Sequence, residues 1–151
     1  MPPGQKPGRN RSRRVFGKGI FAARYKILYK LTMSELAKPV EFRRSSLDDL
    51  RAFPVAARQE AGHQLDRVQH GRDPDDWKPM NTVGQGVREI RVKNDEGEFR
   101  VIYVAKLRDA IYVLHCFQKK TRKTSREDIA LAARRYRELL KELDREQQAL
   151  R

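Results

Sequence analysis

Three consecutive β-like segments, separated only by short turns, constrain the fold of this chain most strongly. They cover residues 87–93, 99–105 and 110–117, and each is rich in β-branched or aromatic side chains. The breaks at 94–97 and 107–109 have the composition of hairpin turns. Because consecutive hairpins place successive strands side by side, the pattern predicts an antiparallel meander.

The first of these segments alternates between two kinds of residue. Ile90 and Val92 alternate with Glu89, Arg91 and Lys93. Since successive side chains of a strand point to opposite faces of the sheet, one face is predicted to be apolar and the other charged.

Helical patterns flank the meander on both sides in the sequence. A short extended run at 40–42 precedes a helix that begins near Ser46, a second helix over 54–70 and a long connection over 71–86. An amphipathic helix is predicted from Ser125 to about residue 143. The order β-α-α-β-β-β-α predicts the α+β class, with a small antiparallel sheet and helices packed on one face.

Length and cysteine content exclude several classes of protein. With 151 residues, the chain has room for one ordinary domain. It contains no apolar run long enough for a membrane span, so an integral membrane protein is not expected. Cys116, the only cysteine, cannot form an internal disulfide, and a reducing cytosol is therefore the expected compartment.

Basic residues are concentrated in two parts of the sequence. The chain has 34 Lys and Arg against 20 Asp and Glu, a net charge of +14. Residues 1–34 are predicted to be a disordered basic arm or a non-native upstream extension, with a targeting peptide or a nucleic-acid-binding arm as alternatives. Residues 35–151 are predicted to be the folded domain, whose excess charge lies in 87–124. A polyanion is the expected partner: nucleic acid first, an anionic membrane second and an acidic protein third.

The candidate binding residues are cations of the meander and of the segment that follows it. A cluster of this kind binds phosphate, although a solvated loop has the same composition. Neighbouring antiparallel strands bring such side chains within reach of one another. The candidates are Arg91, Lys93, Arg100, Lys119, Lys120, Arg122 and Lys123.

His115 is the candidate for proton transfer, because an imidazole near a basic cluster suits acid–base chemistry. A hydrogen-bonded core histidine is the alternative. Alternation places Cys116 on the face opposite His115, as a small core residue. Tyr103 is one of several aromatic residues that could stack on a base or lie in the core. Glycine-rich phosphate loops, esterase motifs and paired metal-binding cysteines are absent from the sequence, so no metal is expected.

Several stretches of the sequence resemble the HigB-like branch of the RelE/ParE toxin superfamily. They are VREIRV at 87–92, FRVIY at 99–103 and HCFQKKT at 115–121, with weaker similarity at 76–80 and 125–129. The resemblance covers residues 38–143 and implies a RelE-like fold. It also implies the toxin of a type II toxin–antitoxin pair, a ribosome-dependent endoribonuclease that cuts mRNA and is silenced by an antitoxin.

The same resemblance assigns roles to individual residues. Arg100 would hold the scissile phosphate, with further catalytic contacts from Arg91, Lys119 and Lys120. His115 would transfer protons in an attack by the 2′-hydroxyl, with Tyr103 and Glu89 as the next candidates. Glu89 stands where some relatives carry a basic residue, so either it is the base or the site is assembled differently. The RNA-binding residues would be Lys93, Tyr103, Arg122, Lys123 and Glu89.

Two other functions compete with this one. A non-catalytic RNA- or DNA-binding protein would use the same basic face, and a gyrase-inhibiting toxin of the ParE type would arrest replication rather than translation. The resemblance implies two partners, a cognate antitoxin and mRNA on the ribosome, in the cytoplasm. It implies neither a small-molecule cofactor nor a membrane partner.

Overall fold

The structure, a computed structural model, describes residues 37–151. The predictions for residues 1–34 lie outside this range. The described part contains five strands and three helices. The strands are β1 (Val40–Phe42), β2 (Trp77–Pro79), β3 (Val87–Asn94), β4 (Gly97–Leu107) and β5 (Ala110–Lys119), and the helices are α1 (Ser46–Arg51), α2 (Val55–Gln69) and α3 (Arg126–Ala149).

The five strands form one sheet in the order β1-β5-β4-β3-β2. The antiparallel meander of β3, β4 and β5 is confirmed. The prediction of an antiparallel sheet throughout is wrong at one edge, because β1 pairs in parallel with β5. This pairing joins segments about seventy positions apart, and local patterns carry no information about it. Part of the predicted connection also forms a strand, β2, which pairs with β3.

Apolar side chains cover both faces of the sheet. One buried cluster joins α1 and α2 to Ile90, Val101 and Val113, and a second joins α3 to Ile102 and Leu114. Since Val101 and Ile102 are neighbours on β4, the two clusters lie on opposite faces. The α+β class is confirmed, but the helices do not all pack on one face. The central strands are apolar on both sides, which requires cover on both.

The turn between β3 and β4 agrees with its sequence. The side-chain Oδ1 of Asn94 accepts a hydrogen bond of 2.8 Å from the backbone N–H of Glu96. Gly97 follows with φ of +136°, and a Cβ added there would lie 2.5 Å from the side chain of Gln118. Glycine is therefore favoured at this position by its backbone geometry, since the Gln118 side chain could move to make space.

A β-bulge interrupts the pairing of β4 with β5. Tyr103 pairs with Val113 and Ile102 pairs with His115, so Leu114 has no opposite residue. The guanidinium of Arg135 on α3 donates a 2.9 Å hydrogen bond to the Leu114 carbonyl and a 3.0 Å bond to the Ser45 hydroxyl. We call this feature the β5 bulge. It fixes which side chains of β5 face α3 beyond this point.

The sequence predicts the start of α3 correctly, but the helix ends later than predicted. Ser125 caps the helix, since its hydroxyl accepts a 3.1 Å hydrogen bond from the backbone N–H of Asp128. The helix continues to Ala149, six residues beyond the predicted end. Among residues 37–151, no helix combines the length and the apolar character needed to cross a bilayer.

Candidate functional site

Two rows of cross-strand neighbours place charged residues together on the sheet face that α3 also covers. One row consists of Lys93, Glu98 and Lys119, and the next of Arg91, Arg100 and Phe117. Directly opposite residues of antiparallel strands share a face. We call the surface formed by these six residues the site face. Its members come from β3, β4 and β5, so the meander itself assembles the cations.

Arg100 lies at the centre of the site face, and only 4% of the residue is exposed. Its Nη2 donates a 2.9 Å hydrogen bond to Oε1 of Glu98, and its Nη1 donates a 3.1 Å bond to the Phe99 carbonyl. Its Nε lies 3.5 Å from Oε1 of Glu89. A buried guanidinium requires such partners, since an unpaired charge in the interior is strongly unfavourable.

Glu89 faces Arg100 from the neighbouring strand and is completely buried, at 0% exposure. Its Oε2 accepts a 3.3 Å hydrogen bond from the hydroxyl of Thr124. Thr124 ends the segment 120–124, which we call the basic loop because it carries Lys120, Arg122 and Lys123, all exposed. The buried carboxylate therefore holds both the central arginine and the end of the basic loop.

Glu98 differs from Glu89 in its exposure. The Glu98 side chain is 42% exposed, against 1% for Glu89. The hydrogen bond from Arg100, with the charges of Lys119 and Lys93, holds the pKa of Glu98 below its ordinary value. Glu98 is therefore ionised at neutral pH, and sequence reasoning did not select it.

Arg91 extends toward the edge of the sheet. Its Nε forms a 3.0 Å ion pair with Oδ1 of Asp76, and its backbone N–H donates to the Asp76 carbonyl at 2.9 Å. Asp76 directly precedes β2, so the predicted connection positions this arginine. The pair offsets repulsion between Arg91 and Arg100, which face each other across two strands.

His115 lies beside this cluster, below the N-terminus of α3. Its Nε2 is 2.7 Å from Oδ1 of Asp128, and its ring stacks on Phe117 at a centroid distance of 4.8 Å. Its Nδ1 is buried and has no hydrogen-bond partner. Burial lowers the pKa of His115, although the hydrogen bond with Asp128 offsets part of this effect. A neutral ring with its proton on Nε2 follows from this arrangement.

Stability is expected to decrease as the pH falls below 6.5, the ordinary pKa of histidine. The folded state lowers the pKa of His115, so the unfolded chain binds the proton first on acidification, and the contribution is complete only above that pH. Urea unfolding between pH 5 and 8 measures the slope. His115→Gln keeps Asp49, Asp128 and Arg135 nearby but removes the titration, so its slope is expected to be smaller. An equal slope in both proteins contradicts the assignment.

The structure brings most of the candidate residues together. Arg91, Lys93, Arg100 and Lys119 belong to the site face itself. Glu89 and His115 lie beside it on the same face, and Lys120, Arg122 and Lys123 follow Lys119 in the exposed basic loop. Tyr103 does not join them: it is fully buried in the core cluster of α1 and α2, on the opposite face.

Four further residues of the site were not selected from sequence. They are Asp76, Glu98, Thr124 and Asp128. Asp128 lies in the first turn of the helix predicted from Ser125, but its 2.7 Å contact with His115 depends on how α3 packs. Cys116 lies in the α1 and α2 cluster, opposite His115, as predicted.

The arrangement suits binding of an anion. Arg100 lies 3.5 Å from a buried carboxylate, exposed Lys93 and half-buried Lys119 share its face, and the basic loop carries three more exposed cations. Across residues 37–151, His, Cys, Asp and Glu side chains form no group of three or more that could hold a metal ion. The chemistry these residues offer is electrostatic stabilisation of a phosphate, with one imidazole close by.

Comparison with known proteins agrees with the fold and with the resemblance. A structure of the E. coli toxin RelE, a double arginine-to-alanine mutant in the free state, is 15% identical to this chain with a TM-score of 0.52. The alignment covers 66% of this chain and 98% of RelE. No curated protein matches the sequence. The family model described as phage-derived protein Gp49-like matches residues 48–137, more than half of the sequence. The chain therefore belongs to the phage-derived Gp49-like family, a RelE/HigB-type toxin family.

Proposed function

We propose that this toxin is a ribosome-dependent endoribonuclease that cleaves mRNA and so inhibits translation. One observation carries the proposal: Arg100, oriented by hydrogen bonds to Glu98 and the Phe99 carbonyl and lying 3.5 Å from the buried Glu89, is at the centre of a face that also presents Lys93 and Lys119. A guanidinium that is already oriented stabilises charge as it develops, without reorganisation during the reaction.

Cleavage by the neighbouring 2′-hydroxyl places additional negative charge on the scissile phosphate. Arg100 would contact a non-bridging oxygen, while Lys119 and Lys120 neutralise the flanking charge. Arg91, Lys93, Arg122 and Lys123 would bind the phosphates on either side. Mono- and bidentate contacts of this type stabilise a phosphorane-like transition state without covalent participation by the protein.

Proton transfer is assigned to His115. Tyr103 faces the opposite core, and Glu89 is occupied by Arg100 and Thr124. We therefore assign Glu89 to holding Arg100 rather than to acting as the base. Asp128 fixes the proton of His115 on Nε2, so the lone pair of Nδ1 would accept the 2′-hydroxyl proton as O2′ bonds to phosphorus. The resulting imidazolium would return that proton to the 5′-oxygen as the P–O5′ bond breaks. Because Nδ1 is buried in the free protein, this role requires RNA binding to uncover it.

The proposed protein partner is an antitoxin with an acidic segment. Such a segment would cover the basic loop and the site face, and it would prevent RNA from reaching Arg100. Charge complementarity of this kind also accelerates association. The side chains of Lys120, Arg122 and Lys123 are exposed in the basic loop, so we expect the antitoxin to contact them first.

Inducing the full chain in a bacterial host tests the proposal. We expect rapid loss of pulse-labelled translation and new 5′-hydroxyl ends inside open reading frames. Lys93→Ala combined with Lys119→Ala is expected to reduce cleavage by about tenfold or more, since two phosphate contacts are lost. Arg72→Ala with Lys141→Ala is the matched control, because both residues are exposed, the charge change is equal and neither belongs to the site.

Three outcomes would contradict the proposal. Intact messages with a soluble, folded toxin favour the non-catalytic binding protein. Arrest of replication before translation favours a gyrase inhibitor. Equal loss of cleavage in both double variants shows that net charge, rather than the site face, determines the activity.

A further inference from the structure

Arg100 has two kinds of partner, and they differ in how readily they can be replaced. Glu89 and the Phe99 carbonyl belong to the buried interior, and neither can leave without disrupting the sheet. Glu98 reaches Nη2 of Arg100 at 2.9 Å from a side chain that is 42% exposed. Only this third partner can rotate into solvent while the fold stays intact.

The carboxylate of Glu98 lies among three cations of the site face. Lys93 and Lys119 are its direct neighbours on the strands to either side, and Arg100 is two residues along the same strand. Carboxylate and phosphate oxygens both accept charge-assisted hydrogen bonds from a guanidinium, and Glu98 accepts one such bond from Nη2 of Arg100. The place where a phosphate would meet Arg100 is therefore already filled by the protein's own anion.

We propose that Glu98 is an internal competitor that occupies the phosphate position on Arg100 in the free protein and is displaced by the RNA backbone. The proposal rests on the proposed function for the identity of the ligand. Displacement carries a cost, because the phosphate must replace an existing ion pair instead of filling an empty site. RNA held by additional contacts meets this cost, whereas a polyanion that touches the surface briefly does not. Glu98 thus makes the site selective against weak, non-specific binding of other polyanions.

Binding of a non-cleavable RNA tests this directly. A fluorescent oligonucleotide with 2′-O-methyl groups is titrated with the full chain, and anisotropy gives Kd. Glu98→Gln keeps the size of the side chain but removes its charge. We expect Kd to fall by about two- to fivefold, the range for loss of one partly exposed competing ion pair. We also expect the dependence of log Kd on log salt concentration to steepen, by up to about one.

Glu96→Gln is the matched control. Glu96 is exposed, removes the same charge when replaced, and lies two residues away in the β3–β4 turn. It should change Kd by less than about twofold, the effect of net charge alone. The benefit of Glu98→Gln should disappear in an Arg100→Met/Glu89→Gln background, since the competition requires Arg100.

Each alternative result overturns the proposal. Equal effects of Glu96→Gln and Glu98→Gln mean that only net charge matters. Weaker binding by Glu98→Gln means that Glu98 positions Arg100 or contacts the RNA. Persistence of the gain without Arg100 means that the competition lies elsewhere. Because no cleavage is measured, failure of the nuclease function leaves these results interpretable: tighter binding by Glu98→Gln in an inactive protein retains the competitor and rejects only the reaction.

Discussion

Replacing Arg100 by alanine is expected to reduce RNA cleavage by at least about a hundredfold, the effect of removing one preorganised donor from a charged transition state. The same change also affects folding. Glu89 would remain buried without its cation, and removing one partner of a buried pair costs about 3–5 kcal/mol. Single-turnover cleavage on purified ribosomes measures the first effect, and urea unfolding measures the second. The alanine variant alone therefore cannot separate chemistry from stability.

A double variant separates them. Arg100→Met with Glu89→Gln removes both charges and keeps much of the buried volume, so most of the lost stability should return. Cleavage should not return, because the scissile phosphate still lacks the contact with the Arg100 guanidinium. Recovery of cleavage together with stability would show that Arg100 serves the fold only.

Replacing Phe99 by alanine is expected to have the opposite profile. Phe99 is fully buried and its ring lies 4.9 Å from that of Phe53, in the cluster of α1 and α2. Loss of a buried phenylalanine costs about 3–5 kcal/mol, through lost apolar burial and the cavity left behind. Its side chain points away from the site face, so the cleavage rate per folded molecule should stay unchanged. Circular dichroism in urea gives the free energy of unfolding and the folded fraction.

Phe99→Leu is the control for this second variant. It keeps most of the apolar volume and should cost less than about 1.5 kcal/mol. A cleavage rate that falls with Phe99→Ala after correction for the folded fraction would mean that the two faces of β4 are coupled. Phe99 and Arg100 are adjacent in sequence, so together the variants compare the two faces of one strand.

The meander was predictable because its information is local. A period of two residues, bounded by turn-forming residues, places Arg91 and Lys93 on one face whatever the rest of the chain does. The same logic predicted that Arg100 and Lys119 would lie nearby, and the register confirms their alignment with these residues. The start of α3 was equally local, since Ser125 caps it through a neighbouring residue. The predicted start of α1 near Ser46 is also confirmed, although Ser45 makes no side-chain capping bond there.

Other features depend on contacts that no local pattern contains. Strict alternation along β5 groups His115 with Ile111 and Val113, whereas the β5 bulge moves His115 to the face of Ile102. The bulge is supported by Arg135, about twenty positions later in the chain. The contact of Asp128 with His115 and the position of α3 likewise depend on tertiary packing rather than on a local sequence pattern. The site residues could be named from sequence, but not the partners that hold them.

The β5 bulge has a consequence for motion. Strand β1 covers β5 only as far as Val113, where the backbone of Arg43 makes the last hydrogen bond. Beyond the bulge, residues 115–119 are paired with β4 on one side alone. Opening of this end of the sheet is therefore expected to require less free energy than opening of the part that β1 also pairs, although it must break the contact of His115 with Asp128 and the packing of Phe117 in the α3 cluster. Because Glu89 and Arg100 are buried beside these residues, the same local opening would expose them to solvent.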